Sequence, residues 1–331
     1  MGEVSTTPRV ALALGSGGAR GYAHIGIIEA IRERGWEVVG IAGTSMGALV
    51  GGLAAAGQLD PYTEWVRGLS QRDVWRLLDP SLRTPGALRG EKIMAEVRSL
   101  IGETRIEDLD IPFTTVAIDL VTHREVWFQR GPLDAAIRAS IALPTVFTPV
   151  MLDGRLLVDG GMLNPVPMAP LSALACDRTI AVDLSGPPRR AVPATPPASE
   201  PALEKDASAE HESRAAEWRT QLTRHLDDLR ETEAVRKVAG WFERSSEEHP
   251  TESSGGGFSD LPAGLGYRDV MTMTYEAMQD VIARYREASY PADLMIRVPR
   301  DAAHTLDFHR GAELVDLGRE LAEEAFAECG W

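Results

Sequence analysis

The sequence predicts an α/β fold with a mostly parallel central sheet. Three observations lead to this prediction: strand-like apolar runs and helical patterns alternate from residue 9 onward, the alternation opens in the order strand, helix, strand, helix, and it continues past the middle of the chain. With 44% apolar and 25% charged residues, the 331-residue chain has an ordinary globular composition and enough length for one large domain or two small ones.

The first four elements have the clearest patterns. Residues 9–14 are a short apolar run typical of a buried strand, a glycine-rich loop follows, and a helical pattern covers about 22–34. Residues 38–42 form a second strand, which leads through a Gly-x-Ser-x-Gly turn into an alanine- and glycine-rich helix ending near residue 56. Because a helix connects the two strands, we expect them to pair in parallel.

The later part of the chain repeats these two kinds of pattern. Apolar runs predict five further strands, at 113–120, 125–129, 155–158, 179–184 and 294–298. Helical patterns lie near 91–101, 133–140, 269–287 and 312–328. The alternation of strands and helices is interrupted once, between the strands at 179–184 and 294–298.

The interruption begins after Gly186, where six prolines follow closely, and a second glycine-rich breakpoint comes later. We therefore expect one domain built from residues 9–186 and 263–330, with residues 187–262 as an acidic insertion. Residues 200–260 carry 15 Asp and Glu against 8 Lys and Arg. An apolar stripe at helical spacing predicts an amphipathic helix here, which either packs on the main domain or acts as a lid that meets lipid.

Charge and cysteine content exclude several classes of protein. A net charge of −15 leaves no basic surface of the kind that nonspecific nucleic-acid binding needs. Two cysteines, Cys176 and Cys329, are too few for a disulfide framework or a tetrahedral zinc site and favour a reducing compartment. The polar first eight residues do not resemble an export signal, and the uncharged stretch at 41–58 is too rich in glycine for a membrane span. We expect a cytoplasmic protein.

The turn Gly43-Thr-Ser-Met-Gly47 fits the Gly-x-Ser-x-Gly pattern of a nucleophile elbow. Flanking glycines relieve crowding at a sharp turn from strand to helix, which leaves the serine hydroxyl exposed. The following helix begins beside this hydroxyl, and its N-terminus favours developing negative charge there. Ser45 is therefore a candidate nucleophile, the alternative being a serine that only caps the helix.

The loop Gly15-Ser-Gly-Gly-Ala-Arg-Gly21 differs from a dinucleotide-binding fingerprint, because arginine stands where the third glycine is required and no acidic residue ends the second strand. A nicotinamide cofactor is therefore not expected. Adjacent glycines instead let the N–H groups of Gly17 and Gly18 approach a tetrahedral intermediate, as an oxyanion hole requires. In this interpretation Arg20 braces the loop.

Asp159-Gly-Gly161 follows a strand-like apolar run, so the Asp159 carboxylate is placed on a turn at a strand end, from which it can point into a cleft. An aspartate that merely forms the turn would show the same pattern.

Together these motifs resemble those of patatin-like phospholipases, of the bacterial neuropathy-target-esterase-like branch. Residues 15–21 are similar to the family's oxyanion loop, 43–47 to its nucleophile elbow and 159–161 to its Asp-Gly-Gly motif. The stretches Arg138–Pro144 and Phe147–Pro149 also resemble a proline-containing block of the family.

This resemblance covers about residues 9–185, and residues 308–314 resemble the tail of the esterase-like branch. The insertion has no counterpart. Where the family's loop often begins with aspartate, this chain has Gly15 and Ser16, but both donor glycines remain.

The resemblance implies a three-layer α/β/α fold and a carboxylic ester hydrolase of the phospholipase A, lysophospholipase or carboxylesterase type. It implies a Ser-Asp dyad, in which Asp159 takes the proton from Ser45 as the hydroxyl attacks an ester carbonyl, and an acyl-enzyme that water then hydrolyses. Neither a metal nor another cofactor is implied, and the expected partner is a lipid acyl ester, with peripheral contact at the inner membrane surface. Six residues would support the site: Gly15, Arg20, Gly43, Gly47, Gly160 and Gly161.

Two other interpretations remain open. A Ser-Asp-His triad using His304 or His309 would keep the chain order of α/β-hydrolases, although their nucleophile normally follows several strands and here only one precedes the elbow strand. A lipid- or protein-binding module without catalysis is the second. We expect His24, just after the glycine loop, to pack there without transferring protons.

An apolar segment close to Asp159 in the sequence is the candidate wall of an acyl pocket. It consists of Ile141, Leu143, Val146, Phe147, Val150, Met151 and Leu152.

Overall fold

One mixed sheet of eight strands organises the computed structural model, which describes residues 7–77, 79, 88–144, 146–189 and 267–331. The strand order is β5-β6-β3-β2-β1-β7-β8, with β4 paired to β3. The strands are β1 (Arg9–Leu14), β2 (Glu37–Thr44), β3 (Phe113–Asp119), β4 (Arg124–Phe128), β5 (Val150–Leu152), β6 (Arg155–Asp159), β7 (Arg178–Gly186) and β8 (Leu294–Pro299). Pairs among β3, β2, β1, β7 and β8 are parallel, whereas β4, β5 and β6 pair antiparallel.

Eight α-helices are described. They are α1 (Ala23–Glu33), α2 (Met46–Ala55), α3 (Leu59–Arg67), α4 (Gln71–Leu77), α5 (Glu91–Ile101), α6 (Leu133–Ser140), α7 (Tyr267–Ser289) and α8 (Gly311–Cys329). Among the described helices, none is long and apolar enough to cross a membrane.

The alternating side chains of β1 divide the core into two layers. Val10, Leu12 and Leu14 pack with α1, α2 and α8 on one face of the sheet, and full burial of each such side chain contributes about 1.5–3 kcal/mol. Ala11 and Ala13 face the other side, which is covered by the segment around Met168 and by α7. Small residues on this second face let its cover approach the sheet closely.

The predicted α/β fold with a mostly parallel sheet between helical layers is confirmed, and the predicted elements occur in the expected order. Helices α3 and α4 and strand β5 were not predicted from the sequence. Segments of three to nine residues contain too few turns or alternations to produce a clear period.

Two compact units divide the chain, residues 1–192 with 266–331 and residues 193–265. The second unit lies outside the described residues. The acidic insertion with its amphipathic helix therefore remains a prediction.

The register on β3 brings two chain segments together at one point of the sheet. Thr44, the last residue of β2, lies opposite Val116, and Asp159, the last residue of β6, lies opposite Ala117. Because β4 pairs with the other edge of β3 from Thr115 to Asp119, β2 and β6 share one edge of β3 and run toward each other. Their ends therefore meet beside consecutive residues of β3.

Candidate active site

A cavity of about 360 Å³ opens at this junction, and its volume lies in the range of small-molecule sites. Its lining includes five of the ten candidate catalytic, oxyanion and supporting residues: Gly17, Gly18, Arg20, Ser45 and Asp159. The remaining wall is mostly apolar and comes from segments far apart in the chain. The tertiary structure thus gathers the two glycine-rich motifs and the Asp-Gly-Gly motif around one space.

Ser45 occupies the turn between β2 and α2 in a strained backbone conformation, with φ 56° and ψ −122°. A non-glycine residue rarely adopts this region, and such strain persists only where the surroundings enforce it. A Cβ on Gly47 would lie 2.0 Å from the Leu14 carbonyl oxygen, and one on Gly43 would lie 2.3 Å from the Gly47 carbonyl oxygen. Both flanking glycines are therefore required for the turn to close.

Ser140 holds this strained turn from α6. Its hydroxyl accepts a hydrogen bond from the Ser45 N–H at 2.9 Å and donates one to the Val116 carbonyl at 2.6 Å, and its side chain is fully buried. Ser140 belongs to the block that resembles the patatin-like family, but the sequence did not predict a role for it. Nothing in the local pattern indicates that its hydroxyl reaches a turn 95 residues away.

Asp159 is completely buried at the end of β6. Its Oδ1 accepts a hydrogen bond from the Gly161 N–H at 2.7 Å, while Oδ2 has no hydrogen-bond partner among the described residues. Burial raises the pKa of this carboxyl to about 7, and interactions with the Ser45 hydroxyl and the Gly161 N–H limit the rise. Ser45 is thus close enough to act on Asp159, although no hydrogen bond of standard geometry joins the two side chains.

The glycine-rich loop lies against the same cavity. The Gly15 N–H bonds the Val182 carbonyl, and the Ala19 N–H bonds the Thr305 carbonyl, each at 3.0 Å. Gly17 and Gly18 lie between these two residues in the loop. Within the described part of the chain, their N–H groups have no acceptor. Gly18 has φ +57°, a left-handed conformation that glycine adopts at little cost. Both N–H groups are therefore available to a negative oxygen in the cavity.

Arg20 ties this loop to two other parts of the fold. Its buried guanidinium donates to the Gly17 carbonyl at 3.2 Å, to the Arg300 carbonyl at 3.1 Å and to the Glu276 carboxylate at 3.1 Å. Two of these acceptors follow the insertion in the chain. The motif could not indicate them, because a sequence pattern carries no information about distant partners.

The other three supporting glycines lie where backbone segments pass close to one another. A Cβ on Gly160 would approach the Val116 carbonyl oxygen to 2.3 Å, one on Gly161 would approach Gln279 Nε2 to 2.4 Å, and one on Gly15 would approach the Val182 carbonyl oxygen to 2.6 Å. These glycines do not line the cavity but permit the loops that do.

None of the three candidate histidines lines the cavity that holds Ser45 and Asp159. His24 is fully buried, its Nε2 lies 2.9 Å from the Gly15 carbonyl oxygen, and burial lowers its pKa to about 4. It is therefore neutral and donates this hydrogen bond. His304 is exposed, and neither it nor His309 lines the cavity, which weighs against a Ser-Asp-His triad. Among the described residues, no group of three or more acidic, histidine or cysteine side chains could hold a metal ion.

The apolar wall differs partly from the expected one. Ile141, Leu143, Val146 and Phe147 line the cavity as expected. The expectation for Val150, Met151 and Leu152 is wrong, because these residues form the edge strand β5, outside the cavity. In their place, helices α3, α4 and α7, which were not expected to form this wall, contribute side chains: Tyr62, Trp65, Val74, Leu77, Met271, Tyr275 and Met278.

Comparisons with known proteins identify the family to which this chain is similar. Residues 12–172 match the family model described as patatin-like phospholipase. An uncharacterized NTE family protein of Mycobacterium tuberculosis is 46% identical over 97% of this chain and 92% of its own length. Lysophospholipase NTE1 of Saccharomyces cerevisiae is 34% identical over 53% of this chain, but only over 11% of its own length. The crystal structure of VipD from Legionella pneumophila covers 94% of this chain and 67% of its own, with a TM-score of 0.44 and 15% identity.

Proposed function

We propose that this chain, which belongs to the NTE family of patatin-like phospholipases, hydrolyses lipid acyl esters with Ser45 as nucleophile and Asp159 as its base. Membership of the family makes the chain an ester hydrolase. One observation carries the more specific assignment: a fully buried carboxylate with one oxygen unpartnered among the described residues lies beside a serine on a strained turn, in a mostly apolar cavity.

In the acylation step, Ser45 Oγ attacks the ester carbonyl carbon while Asp159 Oδ2 takes the hydroxyl proton. The carbonyl oxygen becomes an oxyanion, which accepts hydrogen bonds from the N–H groups of Gly17 and Gly18. When the tetrahedral intermediate collapses, the ester C–O bond breaks and Asp159 gives its proton to the leaving alkoxide. The products of this step are an alcohol and an acyl group bound to Ser45.

Deacylation repeats the sequence with water in place of the alcohol. Asp159 takes a proton from water, the resulting hydroxide attacks the acyl carbonyl, and the proton returns to Ser45 Oγ as the fatty acid leaves. A pKa of about 7 suits this exchange, because a base with a pKa near the operating pH both accepts and releases a proton readily.

The substrate assignment depends on the cavity wall. Side chains such as Leu49, Leu143 and Phe147 offer an acyl chain an apolar surface in the cavity that Ser45 also lines. The yeast relative is named a lysophospholipase, and we propose single-chain lysophospholipids and simple fatty-acid esters among the substrates of this chain as well.

Two experiments test this assignment. A fluorophosphonate probe should label the wild-type protein and the exposed-serine control Ser172→Ala, but not Ser45→Ala. Mass spectrometry should detect free fatty acid from lysophospholipids and phospholipids incubated with wild type, and none above background with Ser45→Ala or Asp159→Asn. A folded wild-type protein that neither reacts with the probe nor releases fatty acid would disprove the proposed function.

We also propose that the protein is cytoplasmic and meets its substrate at the inner membrane surface. Met271, Met278 and Leu306 line the cavity and are also exposed, and Trp75, 68% exposed, lies next in sequence to the lining residue Val74. Exposed apolar side chains at the mouth of an acyl cavity suit insertion into the interfacial region of a lipid layer. With a net charge of −15, this contact should depend little on anionic lipid.

Vesicle flotation checks the membrane contact. Trp75→Ser combined with Met278→Ser should reduce binding to neutral phosphatidylcholine vesicles, while hydrolysis of a dispersed short-chain ester stays within about twofold of wild type. Val121→Ser is the matched control, because Val121 is 72% exposed but does not line the cavity. Equal vesicle binding by all three proteins would refute this contact.

A further inference from the structure

Helix α7 brings polar side chains to a cavity that is otherwise largely apolar. Tyr275, Glu276 and Gln279 of this helix all line the cavity that holds Ser45 and Asp159. Glu276 pairs with the buried guanidinium of Arg20, which anchors the helix against the glycine loop. None of these side chains was expected from the sequence, since α7 follows the insertion and carries no recognisable motif.

Gln279 contacts three parts of the site at once. Its Nε2 donates to the Tyr275 hydroxyl oxygen at 3.1 Å and approaches the Ser16 hydroxyl oxygen at 3.4 Å. The same nitrogen lies against Gly161, where a Cβ would come within 2.4 Å of it. Since Gly161 donates to Asp159 Oδ1, the Gln279 amide lies between the glycine loop and the Asp-Gly-Gly turn.

Tyr275 has one hydroxyl hydrogen that it can donate to a ligand. The amide hydrogen of Gln279 occupies an acceptor position of the phenol, so the phenol's own O–H hydrogen remains directed to another acceptor. Among the described residues, no side chain or carbonyl accepts it. Burial, and secondarily the charge of Asp159, raise the pKa of Tyr275, so the group stays protonated and acts as a donor.

We infer that the Tyr275 hydroxyl donates a hydrogen bond to the oxygen of the leaving alcohol, and then to the water that takes its place, and that Gln279 positions this hydroxyl. The inference rests on the proposed function, in which Asp159 exchanges a proton first with the leaving oxygen and then with water. Both oxygens pass through the same location beside Asp159. Tyr275 lines the cavity that holds Asp159 and is influenced by its charge. Its hydroxyl can therefore donate to an oxygen in this space, which stabilises the departing alkoxide and orients the attacking water.

No proton is lost or gained by Tyr275 in these steps. The ester C–O bond breaks, the alkoxide oxygen takes its proton from Asp159, and Tyr275 contributes only a hydrogen bond. The rate enhancement due to this hydrogen bond should therefore grow as the leaving oxygen becomes more basic. A p-nitrophenolate leaving group, which is stable as an anion, needs the donor least.

Tyr275→Phe removes only the hydroxyl and tests this directly. We expect kcat/KM for an alkyl ester of a fatty acid to fall about tenfold or more, as for the loss of one hydrogen bond in a buried site, with a much smaller change for the p-nitrophenyl ester of the same acid. Deacylation should slow with both substrates, so a burst of p-nitrophenol should precede a slower steady state. The control is Tyr285→Phe, because Tyr285 lies on the same helix but is 75% exposed.

Fluorophosphonate labelling separates this inference from the function on which it rests. Fluoride leaves without a proton from the site, so labelling of Tyr275→Phe should stay within about twofold of wild type. Equal losses in labelling and in both ester reactions would show that Tyr275 is only structural, and unchanged alkyl ester turnover would also overturn the inference. If the wild type itself is not labelled, the proposed function fails instead.

The role of Gln279 is tested by Gln279→Leu, which keeps the volume but removes the donor. This variant should show the same dependence on the leaving group as Tyr275→Phe, and the double variant should lose little more than either single one, because both changes affect one hydroxyl. Losses that multiply in the double variant, or a Gln279→Leu effect independent of the leaving group, would contradict the positioning role.

Discussion

The Ser140 hydroxyl accepts a hydrogen bond from the Ser45 N–H at 2.9 Å. The same hydroxyl donates to the Val116 carbonyl, beside the point where β2 and β6 meet on β3. A single buried hydroxyl thus connects the strained turn that carries Ser45 to the strand that positions Asp159. We expect the separation between Ser45 and Asp159, the proposed nucleophile and base, to depend on this connection.

Removing this hydroxyl should therefore affect both stability and reactivity. Ser140→Ala leaves two buried backbone groups unpaired, so we expect a loss of about 1–3 kcal/mol in the free energy of unfolding and about tenfold slower fluorophosphonate labelling of Ser45. Urea denaturation and labelling kinetics measure the two effects. Ser172→Ala, at an exposed site, should change neither, and normal labelling of Ser140→Ala would show that the turn keeps its geometry without support.

The pKa of Asp159 predicts the pH dependence of hydrolysis. Because burial raises this pKa to about 7, the carboxyl is protonated and inactive as a base below that pH and ionised above it. We expect kcat/KM for a p-nitrophenyl ester to rise with pH, with a midpoint near 7, and then to level off. The labelling rate of Ser45 should follow the same curve, and a rate independent of pH between 5 and 9 would exclude Asp159 as the base.

The same pKa predicts a stability cost at neutral pH. Since the folded-state pKa lies above its ordinary value of 3.8, the stabilising contribution of the protonated group is complete below pH 3.8 and is progressively lost as the pH rises to about 7. Asp159→Asn does not titrate, so its stability relative to wild type should increase over this range, by a few kcal/mol at most. Thermal unfolding at pH 4.5 and pH 8 measures the difference. Asp153→Asn, in an exposed turn, should show no such trend.

Arg20 should not be replaceable by lysine. A lysine ammonium cannot reach the Gly17 carbonyl, the Arg300 carbonyl and Glu276 together with the planar geometry of a guanidinium. We expect Arg20→Lys to slow Ser45 labelling about tenfold, because the N–H groups of Gly17 and Gly18, the proposed oxyanion donors, lose their fixed position. Arg32→Lys, which alters a largely exposed pair with Asp60, should have no effect. Wild-type labelling by Arg20→Lys would mean that the loop is held by other contacts.

The histidines should behave as structural residues. His304→Ala and His309→Ala should retain turnover within about twofold, since neither side chain lines the cavity. His24→Ala should lower the thermal stability through loss of its hydrogen bond to Gly15, while keeping far more activity than Ser45→Ala. Steady-state ester hydrolysis and thermal unfolding decide both points. A loss with His304→Ala or His309→Ala as large as that with Ser45→Ala, in folded protein, would restore the Ser-Asp-His triad.

The sequence by itself determined the α/β class, the order of the predicted strands and helices, and the three motifs that meet at the cavity. These features are local: a buried strand, a glycine turn or an elbow is encoded within a few neighbouring residues by side-chain period and by the need for glycine where backbones approach. The interval from Ser45 to Asp159 carries no such local signal, so their proximity rested on resemblance alone.

Only the tertiary structure decided which distant groups complete the site. Ser140 reaches Ser45 through the packing of α6 on β3, and Tyr275, Glu276 and Gln279 enter from a helix beyond the insertion. The raised pKa of Asp159 likewise arises from burial by the whole fold. Hydrogen bonds between distant segments and desolvation depend on three-dimensional packing, which leaves no short-range period in a sequence.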